Sequence, residues 1–135
     1  MKTIDVDATI DNLTKVLEFI DVNLEEINCD MKDQIGIDVS VEELYVNIAH
    51  YAYPDGVGTA TISYDFTEDT RTVKIILKDS GIPFDPLAKE DPDITLSAQE
   101  REIGGLGIFM VKKNMDEFLY EYTDGCNITT ITKKL

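Results

Sequence analysis

Glu43, Asn47 and His50 stand at i, i+4 and i+7 in the run Glu42-Glu43-Leu44-Tyr45-Val46-Asn47-Ile48-Ala49-His50. A helix there carries a carboxylate, an amide and an imidazole in one stripe. A carboxylate can draw a proton from a hydroxyl, and an amide oxygen can ligate a hard cation. The same stripe also suits a solvated helix face, so by itself it decides little. Further on, Asp79-Ser80-Gly81-Ile82-Pro83 follows a run containing Val73, Ile75, Ile76 and Leu77. An acid at a strand end can accept a hydrogen bond from a ligand amino group, and a glycine beside it lets backbone approach a flat ring. Asp-Ser-Gly is equally ordinary turn chemistry. A third element, Gly104-Gly105-Leu106-Gly107, stands where a helix should open. Uncrowded N–H groups at the positive end of a helix dipole suit phosphate. Each element is weak alone; the three together, in this order, are not.

The elements that must position these residues follow from the hydrophobic pattern. Residues 2–6 read as a short edge strand. A helix follows from about Ile10 to Ile27, with Thr9 as N-cap and Leu13, Val16, Leu17, Ile20, Leu24 and Ile27 on one face. The second helix, which holds the polar stripe, is expected from Asp38 or Ser40 to Tyr53, ended by Pro54 and the Asp55-Gly56 turn. Thr59–Phe66 and Thr72–Lys78 are rich in Ile, Val, Tyr and Thr and read as a hairpin through Glu68-Asp69-Thr70. The stretch after Asp79, with Pro83, Pro86 and Pro92, has no clean periodicity as far as about Ile103 and reads as a functional lid. A helix from the Gly104–Gly107 segment to about Met115 should bury Ile108 and Val111. Strands over Glu117–Tyr122 and Asn127–Lys133 then meet at Asp124-Gly125. This order predicts an α+β fold, a two-layer α/β sandwich with helices on one face of a mixed, mostly antiparallel sheet.

With 135 residues, 43% of them apolar, the chain is expected to form a single domain over residues 1–135 without disulfide or metal support. A net charge of −15 argues against direct nucleic-acid binding and against attachment to anionic membranes, which need clustered Lys and Arg. It suits a basic protein partner. Cys29 and Cys126 have no second Cys or His at metal-ligand spacing, so buried thiols in a reducing cytoplasm are expected. No apolar run reaches the ~20 residues of a membrane helix, and the N-terminus lacks a signal-peptide core. The expected location is cytoplasmic.

Taken together, the three motifs resemble those of the anti-sigma-factor serine/threonine kinases. These form a branch of the gyrase, chaperone and histidine-kinase ATPase superfamily, which has the Bergerat ATP-binding fold. Glu43-x-x-x-Asn47 looks like that branch's N-box, Asp79-x-Gly81-x-Pro83 like its first glycine box, and Gly104-Gly105-Leu106-Gly107-Ile108 like its second. Met115-Asp116-Glu117 and the closing hairpin are similar as well, so the resemblance covers most of the chain.

The resemblance implies ATP and Mg²⁺ as cofactors. It implies that Asp79 receives the adenine amino group, that Gly81 and Pro83 shape the floor under the ring, and that residues Gly104, Gly105, Leu106, Gly107 and Ile108 cradle phosphate. Asn47 would give its amide oxygen to Mg²⁺, and Glu43 would be the general base toward a substrate hydroxyl. Gyrase-like relatives use the equivalent Glu to activate water, so Glu43 alone does not separate kinase from ATPase. His50 stands where sensor histidine kinases often carry a phosphate-contacting Lys, which makes it a phosphate neighbour. Tyr51 stands where anti-sigma kinases often have a His. Arg101 stays open between phosphate, partner and a solvated lid charge.

The function implied is an ATP-binding anti-sigma factor with serine/threonine kinase activity. It would hold a sigma factor as a homodimer and phosphorylate an anti-anti-sigma protein. No His-bearing dimerisation helix pair is evident, so the ATP-binding domain is expected alone. A short lid and the displaced His leave an alternative open: a regulatory module that binds ATP or ADP and a partner without phosphorylating it. A domain that binds proteins only would need all three motifs by accident.

Overall fold

A computed structural model of the chain describes residues 1–88 and 105–135. Alternating apolar and polar residues produce five strands: β1 (Lys2–Asp7), β2 (Thr59–Thr67), β3 (Thr72–Asp79), β4 (Glu117–Thr123) and β5 (Cys126–Lys134). Along β3, Val73, Ile75, Leu77 and Asp79 are buried while Lys74 and Lys78 are exposed, so one face packs inward. Three helices, α1 (Leu13–Glu26), α2 (Met31–Tyr51) and α3 (Gly105–Asn114), complete the described elements. The strand order is β1-β2-β3-β5-β4. Every pairing among the described residues is antiparallel, so the expected mixed, mostly antiparallel sheet carries no parallel pair there. The reason is local: both hairpins close through short turns, and β5 returns between β3 and β4. That return sets Asn127 directly opposite Asp79.

The expected first helix is two elements. Ile10–Asn12 is a short 3₁₀ turn, and α1 begins at Leu13. Thr9 has extended backbone and its side chain makes no capping bond. Its carbonyl instead accepts the hydroxyl of fully buried Tyr45 at 2.7 Å, tying α2 to the end of β1. The second helix starts well before the expected Asp38 or Ser40. Asp30 caps it, accepting the Asp33 N–H at 2.8 Å. It also ends two residues early, with Ala52 as its C-cap. Gly36, inside this helix, leaves room for Asn114 of α3.

Val16, Ile20 and Leu24 of α1, Ile37, Val41, Leu44 and Tyr45 of α2, and Ile108 and Val111 of α3 join Ile62, Ile75, Leu77 and Ile131 of the sheet in one buried core. Each such side chain contributes roughly 1.5–3 kcal/mol by leaving water. The expected apolar face of α1 is present, with Leu13, Leu17 and Ile27 only partly buried. Cys29 and Cys126 are free thiols but half-buried, not buried, because Cys29 lies in the connection between α1 and α2 and Cys126 at the start of β5. Among the described residues, no helix is long and apolar enough to cross a membrane.

The α1–α2 seam is less comfortable. Asp38 packs against Asp21, which also accepts from Gln34 Nε2 at 3.2 Å. Asp38 Oδ1 is buried and meets no donor among the described residues. Burial first, then the Asp21 contact and the nearby Glu42, push the Asp38 carboxyl up to about 8. The folded protein therefore keeps a proton that the unfolded chain releases above an ordinary carboxylate pKa of ~3.9. Stability attributable to this group falls as pH rises through that window and is flat above it. Asp38→Asn is expected to raise the urea midpoint more at pH 8 than at pH 5. A gain that is equal at both pH values would show that Asp38 does not titrate in this way.

Candidate functional site

Asp79 ends β3 with its side chain turned inward, and it is only 5% exposed. Its Oδ1 accepts two hydrogen bonds, from the Gly81 N–H at 2.9 Å and from Asn127 Nδ2 at 2.9 Å. Among the described residues, none donates to Oδ2. A buried acid with one oxygen saturated and one free is a ready acceptor for a ligand donor.

The loop leaving Asp79 is stitched to the end of α2. The Ser80 N–H donates to the Tyr53 hydroxyl at 2.8 Å, which itself donates to the Thr59 carbonyl at 2.7 Å. The Ile82 N–H donates to the Ala52 carbonyl at 2.9 Å. Gly81 lies so close to this helix end that an added β-carbon would run into the Ala52 carbonyl. The carbonyl carbon and oxygen of Ala52 are backbone, and its β-carbon is fixed to that backbone, so none has much freedom to move aside. Gly81→Ala is therefore expected to cost about 1–3 kcal/mol of stability, as overpacking does. A urea titration checks it, and an unchanged midpoint would mean that the loop can lift away from α2.

Asp79, Asn127 and Thr129 of the sheet, Leu44, Asn47 and Ile48 of α2, Ala52 at its C-cap, and Phe84 and Pro86 of the following loop line a pocket open to solvent. Its mainly apolar wall suits the faces of a flat heterocycle, with the Asp79 carboxylate as the polar group among them. Phe84 is stacked from outside by Tyr51, ring centroids 5.5 Å apart.

Glu43 lies one helical turn before Asn47 and is half-buried. Burial raises its pKa from the ordinary carboxylate range, opposed by a hydrogen bond from Asn47 and assisted by Glu42. Its carboxyl rests against Gly107 in the first turn of α3, where an added β-carbon would strike it. Two motifs 64 residues apart in sequence are thus in direct contact (107 minus 43).

The remaining expected residues divide. His50 is exposed, touches Tyr51 edge to face at 5.9 Å, and does not line the cavity. Pro83 is exposed and outside the cavity wall, so its part is confined to the course of the loop. Ile108 is buried in the core and anchors α3. Gly105 opens α3 and Leu106 follows within it. Gly104 and Arg101 lie outside the described residues, as does the part of the expected lid from residue 89 to about Ile103. Sequence reasoning missed Asn127. A signal existed, because Asn is disfavoured in strands and here falls in phase with the inward-facing Thr129 and Ile131.

A family model described as the histidine kinase-like ATPase domain matches residues 6–133. The chain belongs to this family. Among its relatives, the serine/threonine-protein kinase BtrW of Bordetella bronchiseptica is 22% identical over 96% of this chain and 91% of its own length. The serine-protein kinase RsbW of Listeria monocytogenes is 27% identical over 67% of this chain, a match spanning 59% of that protein. The RsbU and RsbW domains of a Mycobacterium tuberculosis protein share the fold with a TM-score of 0.66 and 18% identity, over all of this chain and 33% of that one. A structure of the SiaB-SiaC complex from Pseudomonas aeruginosa matches with a TM-score of 0.64 and 15% identity, over all of this chain and 90% of the matched chain.

Proposed function

We propose that this chain holds a sigma factor, binds ATP in the Asp79 cavity and transfers the γ-phosphoryl group to a serine or threonine of an anti-anti-sigma protein. The carrying observation is the geometry of Asp79, a buried acid with one oxygen left without a donor, lining a pocket walled by the helix that bears Asn47 and Glu43. The names of the BtrW and RsbW relatives favour protein-serine kinase chemistry. The chain's net charge of −15 suits a basic sigma surface. We infer a cytoplasmic homodimer as the working form, on the resemblance to the anti-sigma branch.

In this reading Asp79 Oδ2 accepts the adenine amino group, and Gly81 keeps the floor under the ring free of side chain. The first turn of α3, with Gly105 and Gly107, turns N–H groups toward phosphate. Among the described residues, no cluster of three or more His, Cys, Asp or Glu could hold a metal ion. A Mg²⁺ here would be held mainly by phosphate oxygens and water, with the Asn47 amide oxygen as the protein ligand. Bound there, the ion would neutralise phosphate charge. Glu43 takes the proton of the attacking hydroxyl as its oxygen bonds to the γ-phosphorus and the bond to the ADP oxygen breaks.

Incubation with Mg²⁺, radiolabelled ATP and a candidate anti-anti-sigma protein tests the reading. Label is expected on a serine or threonine of that protein. Nucleotide binding without transfer to any candidate would instead favour the regulatory module that binds ATP or ADP and does not phosphorylate.

A further inference from the structure

Asn127 sits 4% exposed on β5, and all four of its side-chain hydrogen bonds are accounted for. Its Oδ1 receives the Phe84 N–H at 3.0 Å and the Tyr120 hydroxyl. Its Nδ2 donates to the Ile82 carbonyl at 2.8 Å and to Asp79 Oδ1 at 2.9 Å. Two of these partners are backbone groups of fixed polarity. The Phe84 N–H can only donate and the Ile82 carbonyl can only accept, so the amide has one permitted orientation. Its NH₂ must face Asp79.

We propose that Asn127, held by Tyr120, is the positioning residue that sets the site's preference for a 6-amino purine over a 6-oxo purine. The inference rests on the nucleotide reading of the cavity above. Asn127 and the Gly81 N–H together occupy Asp79 Oδ1, which fixes the carboxyl plane and leaves Oδ2 as the acceptor exposed to ligand. A 6-amino group donates to that oxygen. A 6-oxo group would set one acceptor against another, leaving both without a partner. Tyr120, from edge strand β4, gives the amide oxygen its second donor, so the hydroxyl reinforces the orientation from outside the cavity wall.

The test measures ATP and ITP binding by calorimetry, with Mg²⁺, on the intact chain. Wild type is expected to prefer ATP by about 100-fold or more, the scale on which sites reject a ligand of wrong hydrogen-bonding polarity. Asn127→Leu removes the donor to Asp79, and the ATP:ITP preference is expected to fall at least about tenfold. Tyr120→Phe should lower it by about threefold, since the Phe84 N–H still holds the amide oxygen.

Asn127→Asp supplies a readout that a purely structural role would not move. A protonated Asp at this position can donate to Asp79, whereas the ionised form repels it. Burial and Asp79 both favour the protonated form, so ATP affinity and selectivity should be poor at pH 8 and recover as pH falls toward 5.5. Among the described residues, the other titratable groups around the pair are Tyr53, Tyr120 and Tyr122, the last paired with Asn127 across β4 and β5, with Asp85 and Cys126 beyond them. If Asn127→Leu does not fold, Tyr120→Phe and Asn127→Asp decide. Wild-type selectivity in every folded variant, with no pH-dependent recovery, overturns the proposal while leaving ATP binding intact. Wild-type protein that binds neither nucleotide overturns the nucleotide reading itself, and this inference with it.

Discussion

Asp79→Asn is expected to lower ATP affinity by at least about 100-fold without unfolding the protein. The amide oxygen of an Asn here can still accept the Gly81 N–H and the Asn127 amide at the Oδ1 position. Its NH₂ would then replace Oδ2 and face the adenine amino group, donor against donor. The fold should tolerate the change because Asp79 makes no ion pair among the described residues, and both of its 2.9 Å bonds survive. Calorimetry of the variant beside wild type, with urea titrations of both, separates the two effects. Undiminished ATP binding by a folded Asp79→Asn would remove the basis for the adenine site.

Glu43→Gln is expected to reduce phosphoryl transfer by about 100-fold to 10,000-fold, the usual worth of a positioned base, while ATP affinity is retained. Gln preserves the side-chain volume against Gly107 and can still bond Asn47, so only the proton acceptor is lost. The pH dependence has a definite sign. Burial raises the Glu43 pKa, and the base must be ionised to act, so transfer should fail as pH drops through that raised value. The acid limb of the rate profile is therefore expected above the ordinary glutamate range of ~4.3 and absent from the residual activity of Glu43→Gln. An equal acid limb in both proteins would assign the titration to another group. Single-turnover measurements with saturating ATP and the phosphorylated partner as product give the comparison.

The elements near the motifs were legible because their signals are local. Alternation in Val73, Ile75 and Leu77 and the three- and four-residue spacing of Val16, Ile20 and Leu24 reflect strand and helix periods directly, and the buried residues follow them. The start of α2 was less legible. Its first turns carry Asp33, Gln34 and Asp38 among the apolar residues, with Met31, Ile35 and Val39 exposed, so the apolar stripe is blurred. The cap that begins it, Asp30, looks like any loop acid until the Asp33 N–H is seen to meet it. The helical stripe of Glu43, Asn47 and His50 was correct as a spacing, but spacing cannot say how far along a helix a cavity extends. Asn47 lines it, whereas His50 stands exposed beyond.

The sequence by itself determined the family motifs, the chemistry available at Glu43, Asn47, Asp79 and Gly81, and the succession of helices and strands. These depend on backbone dihedrals, side-chain period and functional groups, which are properties of a residue and its near neighbours. Only the tertiary structure decided the antiparallel strand order, the contact of Glu43 with Gly107, and the bond from Asn127 to Asp79 across 48 residues of chain. Those contacts exist because the whole core closes at once, and no local pattern records which distant residue will meet which when it does.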